Sequence, residues 1–312
     1  MRREVDVTRR VAAIDCGTNS IRLLIADLDS ATNTQHDHVR EVRIVRLGEN
    51  VDRTGRLDDA AVARTLAACA DYAQQCRSYD VEAIRFCATS ATRDAENAAE
   101  FRASVHEQFG VDVEVLSGDD EAALAYDGVV RVAGNLRSPI LVADVGGGST
   151  ELILGDSTGV TAARSLNIGS VRMTERHLRT DPPTEAEVEG ATSDIDGALL
   201  ECEVPVSSAA TIVGVAGTCT NIAAYALGLE QYERDRIHLT RFDTGDIVRS
   251  CEWLLHATVA SRRELGFMHP GRADVIGGGA LIVERLLALV GAEVPFVVSE
   301  HDILDGVAWT LR

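Results

Sequence analysis

The chain has 312 residues, 46% of them apolar and 25% charged, with a formal net charge of −19. That length suits two domains of about 150 residues each, and the acidic balance speaks against general binding of nucleic acid or an anionic membrane. All 30 basic residues are arginine, which excludes Schiff-base, P-loop and general-base lysines and leaves any anion clamp to guanidinium and backbone N–H groups. The N-terminal Met1-Arg2-Arg3-Glu4 lacks the apolar segment of a signal peptide. Glu284 and Arg285 interrupt the best candidate for a membrane span, which needs about 20 apolar residues. The seven cysteines include no CxxC pair, so neither a disulfide framework nor a zinc site is expected. These features predict a cytoplasmic protein.

In chain order, Val11-Ala12-Ala13-Ile14, the segment Asp15-Cys16-Gly17-Thr18-Asn19-Ser20-Ile21-Arg22 and Leu23-Leu24-Ile25 read as strand, Gly-bearing turn and strand. Another strand is expected over about 39–47, leading into the loop 47–55. Residues 58–78 carry a helical period, with Asp58 or Asp59 as N-cap and Val62, Leu66, Cys69 and Tyr72 or Ala73 on one face. A buried strand follows over 84–88, with a helix from Thr89 onward. Residues 111–116 form a strand that ends at Ser117-Gly118, and a helix begins near Asp119.

Residues 140–156 then repeat the opening pattern. Helix-rich sequence is expected from there to about 202, broken by the loop at Pro182-Pro183. A strand over 211–215 enters Ala216-Gly217-Thr218. Later come a turn at Gly277-Gly278-Gly279, a strand over 296–299 and a closing helix. Strands alternating with helices, opened twice by a hairpin, predict an α/β fold in two similar halves.

The second hairpin contains Asp144-Val145-Gly146-Gly147-Gly148-Ser149-Thr150-Glu151, offset by 129 residues from the first. At that offset Asp15 matches Asp144, Gly17 matches Gly146, Ser20 matches Ser149, Leu23 matches Leu152 and Asp27 matches Asp156. Glycines let successive N–H groups point inward as an anion-binding nest. Two such turns would grip phosphate from both sides of a cleft, whereas one alone would be an ordinary hairpin. A Walker loop would need a lysine, and a Rossmann fingerprint would open a helix rather than a strand.

Asp144 and Glu151 stand on the two arms of one hairpin and are able to converge on a metal ion; Mg²⁺ prefers such oxygen ligands. The position matching Glu151 is Arg22, which offers a guanidinium to phosphate instead. Arg93 stands near a helix start, where anions bind favourably; its plain alternative is a surface helix arginine. Glu121 is the candidate general base, although three acids in a row at a helix start (Asp119, Asp120, Glu121) also fit compensation of the helix dipole. Gly217-Thr218, Gly277-Gly278-Gly279 and the loop Gly169-Ser170-Val171-Arg172 have anion-friendly backbones or are tight connections. His301-Asp302 reads as helix capping, and the cysteines read as small buried residues.

Taken together, Asp15 to Ser20, Ala88-Thr89-Ser90-Ala91-Thr92-Arg93, Ser117-Gly118-Asp119-Asp120-Glu121-Ala122, Asp144 to Glu151, Gly217-Thr218 and Ser299-Glu300-His301 resemble the exopolyphosphatase / guanosine pentaphosphate phosphatase (Ppx/GppA) family. That family lies within the actin–hexokinase–heat-shock-chaperone ATPase superfold. The resemblance implies two RNase H-like domains flanking an active-site cleft, here 1–123 and 124–299, with a C-terminal helix over 300–312 packing back on the first. It implies Glu121 as the base that activates water, and Asp144 and Glu151 as ligands of Mg²⁺ or Mn²⁺. Asp15, Gly17, Thr18, Asn19, Ser20, Arg22, Arg93, Gly146, Gly147, Gly148, Ser149, Gly217 and Thr218 are then the phosphate-binding set.

The implied substrate is inorganic polyphosphate, with pppGpp as the alternative, and the implied assembly a homodimer. Asp120 stands where the family usually has Glu, and Asn50 where Gly is common. The family's extra C-terminal helical domain is not part of this sequence, which favours short polyphosphate. A more distant alternative is an ATP-dependent sugar or acid kinase of the same superfold, which would need an acceptor base and an adenosine pocket.

Overall fold

The computed structural model describes residues 8–134, 136–156 and 158–312. It divides into two compact units, Met1–Leu116 together with Ile303–Arg312, and Ser117–Asp302.

The first unit is built on β1 (Thr8–Cys16), β2 (Ser20–Asp29), β3 (Thr34–Ile44), β4 (Ala83–Ala88) and β5 (Val113–Val115), in the order β3-β2-β1-β4-β5. β1 pairs antiparallel with β2 and parallel with β4. From Val11 to Cys16 every residue is buried, the continuous apolar run of a strand covered on both faces. The helix Asp59–Ser78 starts where the Asp58 carboxylate accepts from the amides of Ala60 and Ala61. Its buried stripe runs through Ala61, Thr65, Ala68, Cys69, Tyr72, Ala73 and Cys76. The larger Val62 and Leu66, expected at its centre, lie at the margin because small residues let the helix approach the core closely. Asn50 has φ +62°, a left-handed conformation that asparagine tolerates better than most residues and that explains its exchange with glycine there.

The helix Ile303–Trp309 is buried throughout and packs on β1, β2 and β4. Its Asp305 is fully buried. Arg40 on β3 embraces that carboxylate with both terminal nitrogens, one of them at 3.1 Å from Oδ2, and Gln35 donates to Oδ1 at 2.7 Å. Asp37 also accepts from Arg40, at 2.8 Å.

In the second unit β6 (Ile140–Val145), β7 (Thr150–Asp156), β8 (Gly159–Leu166), β9 (Thr211–Val215), β10 (Thr240–Phe242) and β11 (Phe296–Val298) form a sheet in the order β10-β11-β9-β6-β7-β8. Counted from β8, the first five strands repeat the connectivity of the first unit, hairpin and third strand on one side and parallel strands on the other, as two RNase H-like halves require.

Three expectations need correction. Residues 159–166 form an edge strand rather than helix. Its polar residues alternate with few apolar ones, so only pairing with β7 reveals it. Gly277, Gly278 and Gly279 are not a turn but the start of the helix Ile276–Val290. A Cβ on Gly278 would lie 2.8 Å from the Ser170 carbonyl oxygen, and one on Gly279 2.6 Å from the Thr218 methyl, so close helix packing requires them. Gly169-Ser170-Val171-Arg172 likewise opens a helix, Ser170–Arg176. All seven cysteines are buried free thiols.

Asp305→Asn leaves the Arg40 guanidinium buried without its full counter-charge. We expect it to lower unfolding free energy by about 3 kcal/mol, the scale for breaking a buried pair from one side, as read from urea denaturation.

Candidate functional site

In the first unit, the Gly17 amide donates to the Ser20 carbonyl at 2.9 Å and closes the β1–β2 hairpin. The antiparallel register places Asp15 directly opposite Arg22, so both side chains share one face. Arg22 donates from Nε (2.9 Å) and Nη2 (2.6 Å) to the same Oδ2 of the buried Asp15. The guanidinium expected to meet phosphate is thus also an ion-pair partner, held in place by the strand it faces. Thr18 Oγ1 lies 2.9 Å from Ser90 Oγ, tying the turn to the helix Ser90–Asp94. Asn19 is buried, and its Oδ1 has no hydrogen-bond partner.

Arg93 is the fourth residue of that five-residue helix, close to its start and at the same time in its last turn, because the helix starts and stops within one turn and a half. Its Nη1 donates to the Leu116 carbonyl at 2.9 Å.

The second unit repeats the hairpin closure, with Gly146 N–H donating to the Ser149 carbonyl at 3.0 Å. Asp144 is directly opposite Glu151 in the β6–β7 register and opposite Val215 of β9 on its other side. Both carboxylates are buried. Ser165 on β8 donates from Oγ to Glu151 Oε1 at 2.6 Å.

The same serine carries the start of the helix Gly118–Val130: a Cβ on Gly118 would lie 2.5 Å from Ser165 Cβ. Ser117 caps that helix, accepting from the Asp120 amide and donating to the Asp120 carboxylate at 2.6 Å. Of the three acids in its first turn, Asp119 and Asp120 are exposed and only Glu121 is buried, 7% exposed. The first two serve cap and dipole.

Gly147 and Gly148 are tied down through their carbonyls. Gly147 accepts from the amides of Val171 and Arg172 and Gly148 from Arg172 Nε at 2.7 Å. The amides at the start of Ser170–Arg176 therefore serve the turn rather than an anion. Gly217 and Thr218 open the helix Ala216–Ala226 directly after β9. Ala216 has φ +62°, left-handed backbone that precedes helical residues and aims successive N–H groups to one side. The Arg272 guanidinium lies against the Gly217 Cα, in the space a Cβ would fill.

Arg172, Ser165 and Arg272 escaped attention as site residues in the sequence. Ser165 was hidden with its strand, and Arg272 lies 55 positions from the glycine it covers.

Burial, reinforced by the Asp144 carboxylate, pushes the Cys219 thiol well up. Burial does the same for Cys16, with Cys69 and Asp15 adding to it. Both stay protonated at neutral pH, which removes a thiolate nucleophile from consideration.

The donor set also fits a hard divalent cation. Asp144 and Glu151 supply carboxylate oxygens side by side, and among the described residues no group of three or more His, Cys, Asp or Glu is gathered as a cage. Two carboxylates completed by water and phosphate oxygens is how Mg²⁺ is commonly held.

Residues 25–302 match the Ppx/GppA phosphatase family. The chain is 46% identical to Exopolyphosphatase 2 of Mycobacterium tuberculosis, over 97% of this chain and 98% of that protein. It is 36% identical to the guanosine-5'-triphosphate,3'-diphosphate pyrophosphatase of Vibrio cholerae, over 54% of this chain and 33% of that one. The crystal structure of the Aquifex aeolicus Ppx/GppA family member superposes with a TM-score of 0.81 at 31% identity, covering 97% of this chain and 98% of the other.

Two glycines here separate packing from chemistry. Gly169→Ala would drive a methyl into the backbone of Gly147 and Gly148 and should cost about 1–3 kcal/mol in urea unfolding. Gly217→Ala meets only the movable end of Arg272, so its loss should stay below about 1 kcal/mol while the guanidinium is displaced.

Proposed function

We infer the reaction from one premise: the chain belongs to the Ppx/GppA phosphatase family and is a phosphoanhydride hydrolase. In this reading it is an exopolyphosphatase, which releases orthophosphate from the end of inorganic polyphosphate. The observation that carries the mechanism is the role of Ser165, which binds Glu151 and seats the helix that bears Glu121. A buried base and a buried pair of carboxylates thereby belong to one assembly.

Glu121 accepts a proton from water as the water oxygen attacks the terminal phosphorus. The P–O bond to the bridging oxygen breaks, and the chain leaves one phosphate shorter. Such transfer needs little covalent help, and positioning with charge neutralisation supplies most of the acceleration. Asp144 and Glu151 are the proposed ligands of Mg²⁺ or Mn²⁺, which when bound neutralises charge on the phosphate oxygens. The turn residues Gly146 to Ser149, Gly217 and Thr218, with Arg272 beside them, bind phosphate in the second unit. In the first unit the turn Gly17 to Ser20 with Arg22 and Arg93 binds phosphate. Asp15 acts there through Arg22, which it holds.

pppGpp is the second reading, favoured by the similarity of part of the chain to the Vibrio cholerae pyrophosphatase. It presents the same terminal phosphoanhydride.

Purified protein with Mg²⁺ should release phosphate from short polyphosphate with a higher kcat/KM than from pppGpp. Release from pppGpp alone would favour the second reading, and transfer from ATP to a sugar would overturn both. Glu121→Gln should lower kcat by about 10²–10⁴ with little change in KM, the general-base scale. Turnover near that of the unaltered protein would remove Glu121 from the role.

A further inference from the structure

Arg262, in the short helix Val259–Arg263, is only 4% exposed. Its hydrogen bonds go to two main-chain carbonyls, from Nη1 to Ala273 at 3.0 Å and from Nη2 to Leu255 at 2.9 Å. Its Nε is buried without a partner. Burial draws its pKa below the usual arginine range, and Asp181 and Asp274 offset that only in part. A guanidinium taken out of water with no carboxylate bonded to it is an unfavourable way to hold a fold together, since apolar residues of similar volume often serve as well or better. Local packing does not account for an arginine at this position.

What the arginine does is join two pieces of chain. Leu255 is in the last turn of the helix Thr244–His256, where carbonyls lack partners within the helix. Ala273 is in the segment that leads into the helix Ile276–Val290. The planar fork of arginine spans both acceptors at once, which a compact ammonium does not. Gly277 leaves room for it, because a Cβ there would lie 3.0 Å from Nη2.

The residue before Ala273 is Arg272. Its amide donates to the His269 carbonyl at 2.8 Å, and its carbonyl accepts from Val275 and Ile276 at 3.1 and 3.0 Å. With the next carbonyl held by Arg262, the backbone that carries Arg272 is fixed along its length. The Arg272 guanidinium fills the space over the Gly217 Cα. That role asks for no free guanidinium: the group acts by where it packs.

We propose that Arg262 is a positioning residue for phosphate binding in the second unit. It fixes the segment that seats the Arg272 side chain over Gly217, and so sets the backbone of the Gly217–Thr218 turn. The inference rests on the reading of that turn as a phosphate site.

The test is a double-mutant cycle. Binding of tripolyphosphate with Mg²⁺ is measured by calorimetry in a Glu121→Gln background for Arg262→Met, Arg272→Ala and the two together. Arg262→Met should bind about two- to a hundredfold more weakly, the coupling range for residues that share a backbone segment. In the Arg272→Ala chain the same substitution should change binding by less than about twofold, the scatter of independent sites. A merely structural residue would weaken binding equally in both. Arg262→Lys keeps the charge, and Gly277→Ala crowds the guanidinium without removing it. Each should show the same dependence on Arg272 to a smaller degree, and they carry the comparison if Arg262→Met does not fold.

Equal losses with and without the Arg272 side chain, or no loss in either, overturn the proposal. Weaker binding in Gly217→Ala but not in any Arg262 variant sinks the proposal and leaves the turn as a phosphate site. Unchanged binding in Gly217→Ala and Arg272→Ala alike removes the turn from phosphate binding, and the proposal with it.

Discussion

The register of two antiparallel hairpins is the constraint on which the rest depends. It sets Asp15 opposite Arg22 in one unit and Asp144 opposite Glu151 in the other. Directly opposed side chains share a face with Cβ atoms about 5 Å apart, and a slip of one residue would send a partner to the other side of the sheet. Where the opposed residues differ in charge, they close into an ion pair without help. Where they are alike, the buried repulsion must be met from outside the hairpin. Ser165 meets part of it with a hydroxyl. A single exchange, arginine for glutamate, thus gives two halves of one architecture different chemical characters.

The second consequence of the shared sheet order is where helices begin. In each unit the strand parallel to the hairpin's first strand runs straight into a helix, β4 into Ser90–Asp94 and β9 into Ala216–Ala226. Thr18 reaches the first of these through Ser90. In the second unit the corresponding helix start lies one strand away from Asp144, with Arg272 over its glycine. Polar groups gather at these strand ends because backbone N–H groups at a helix start have no partner within the helix.

Both hairpins, the helix carrying Glu121 and the five strands of the first unit were legible in the sequence, since each has a strong local signal: buried apolar runs, glycine between them, and Ser117 before a run of acids. What stayed hidden depends on contacts distant in the chain. β8 carries Thr161, Arg164 and Ser165 with small apolar residues between, so neither helical nor strand periodicity marks it. Its identity comes from β7. Three consecutive glycines suggest a turn to any local reading, yet at 277–279 they are a surface against which Ser170 and Thr218 pack. Burial separates Glu121 from Asp119 and Asp120 although all three share one helical turn, a distinction no local reading of three consecutive acids supplies. The departure at Asn50 carries no puzzle once its φ is known.

The clamp of Arg40 and Gln35 on Asp305 has a bearing on synthesis. The first unit takes residues from both ends of the chain, and the second is in effect an insertion within it. During translation the N-terminal sheet emerges early, with the faces of β1, β2 and β4 that the helix 303–309 covers still open to water. Arg40 meanwhile lacks the carboxylate it is shaped to hold. The inserted unit carries its own core. The sheet that is made first therefore waits for a helix made last among the elements of its own unit.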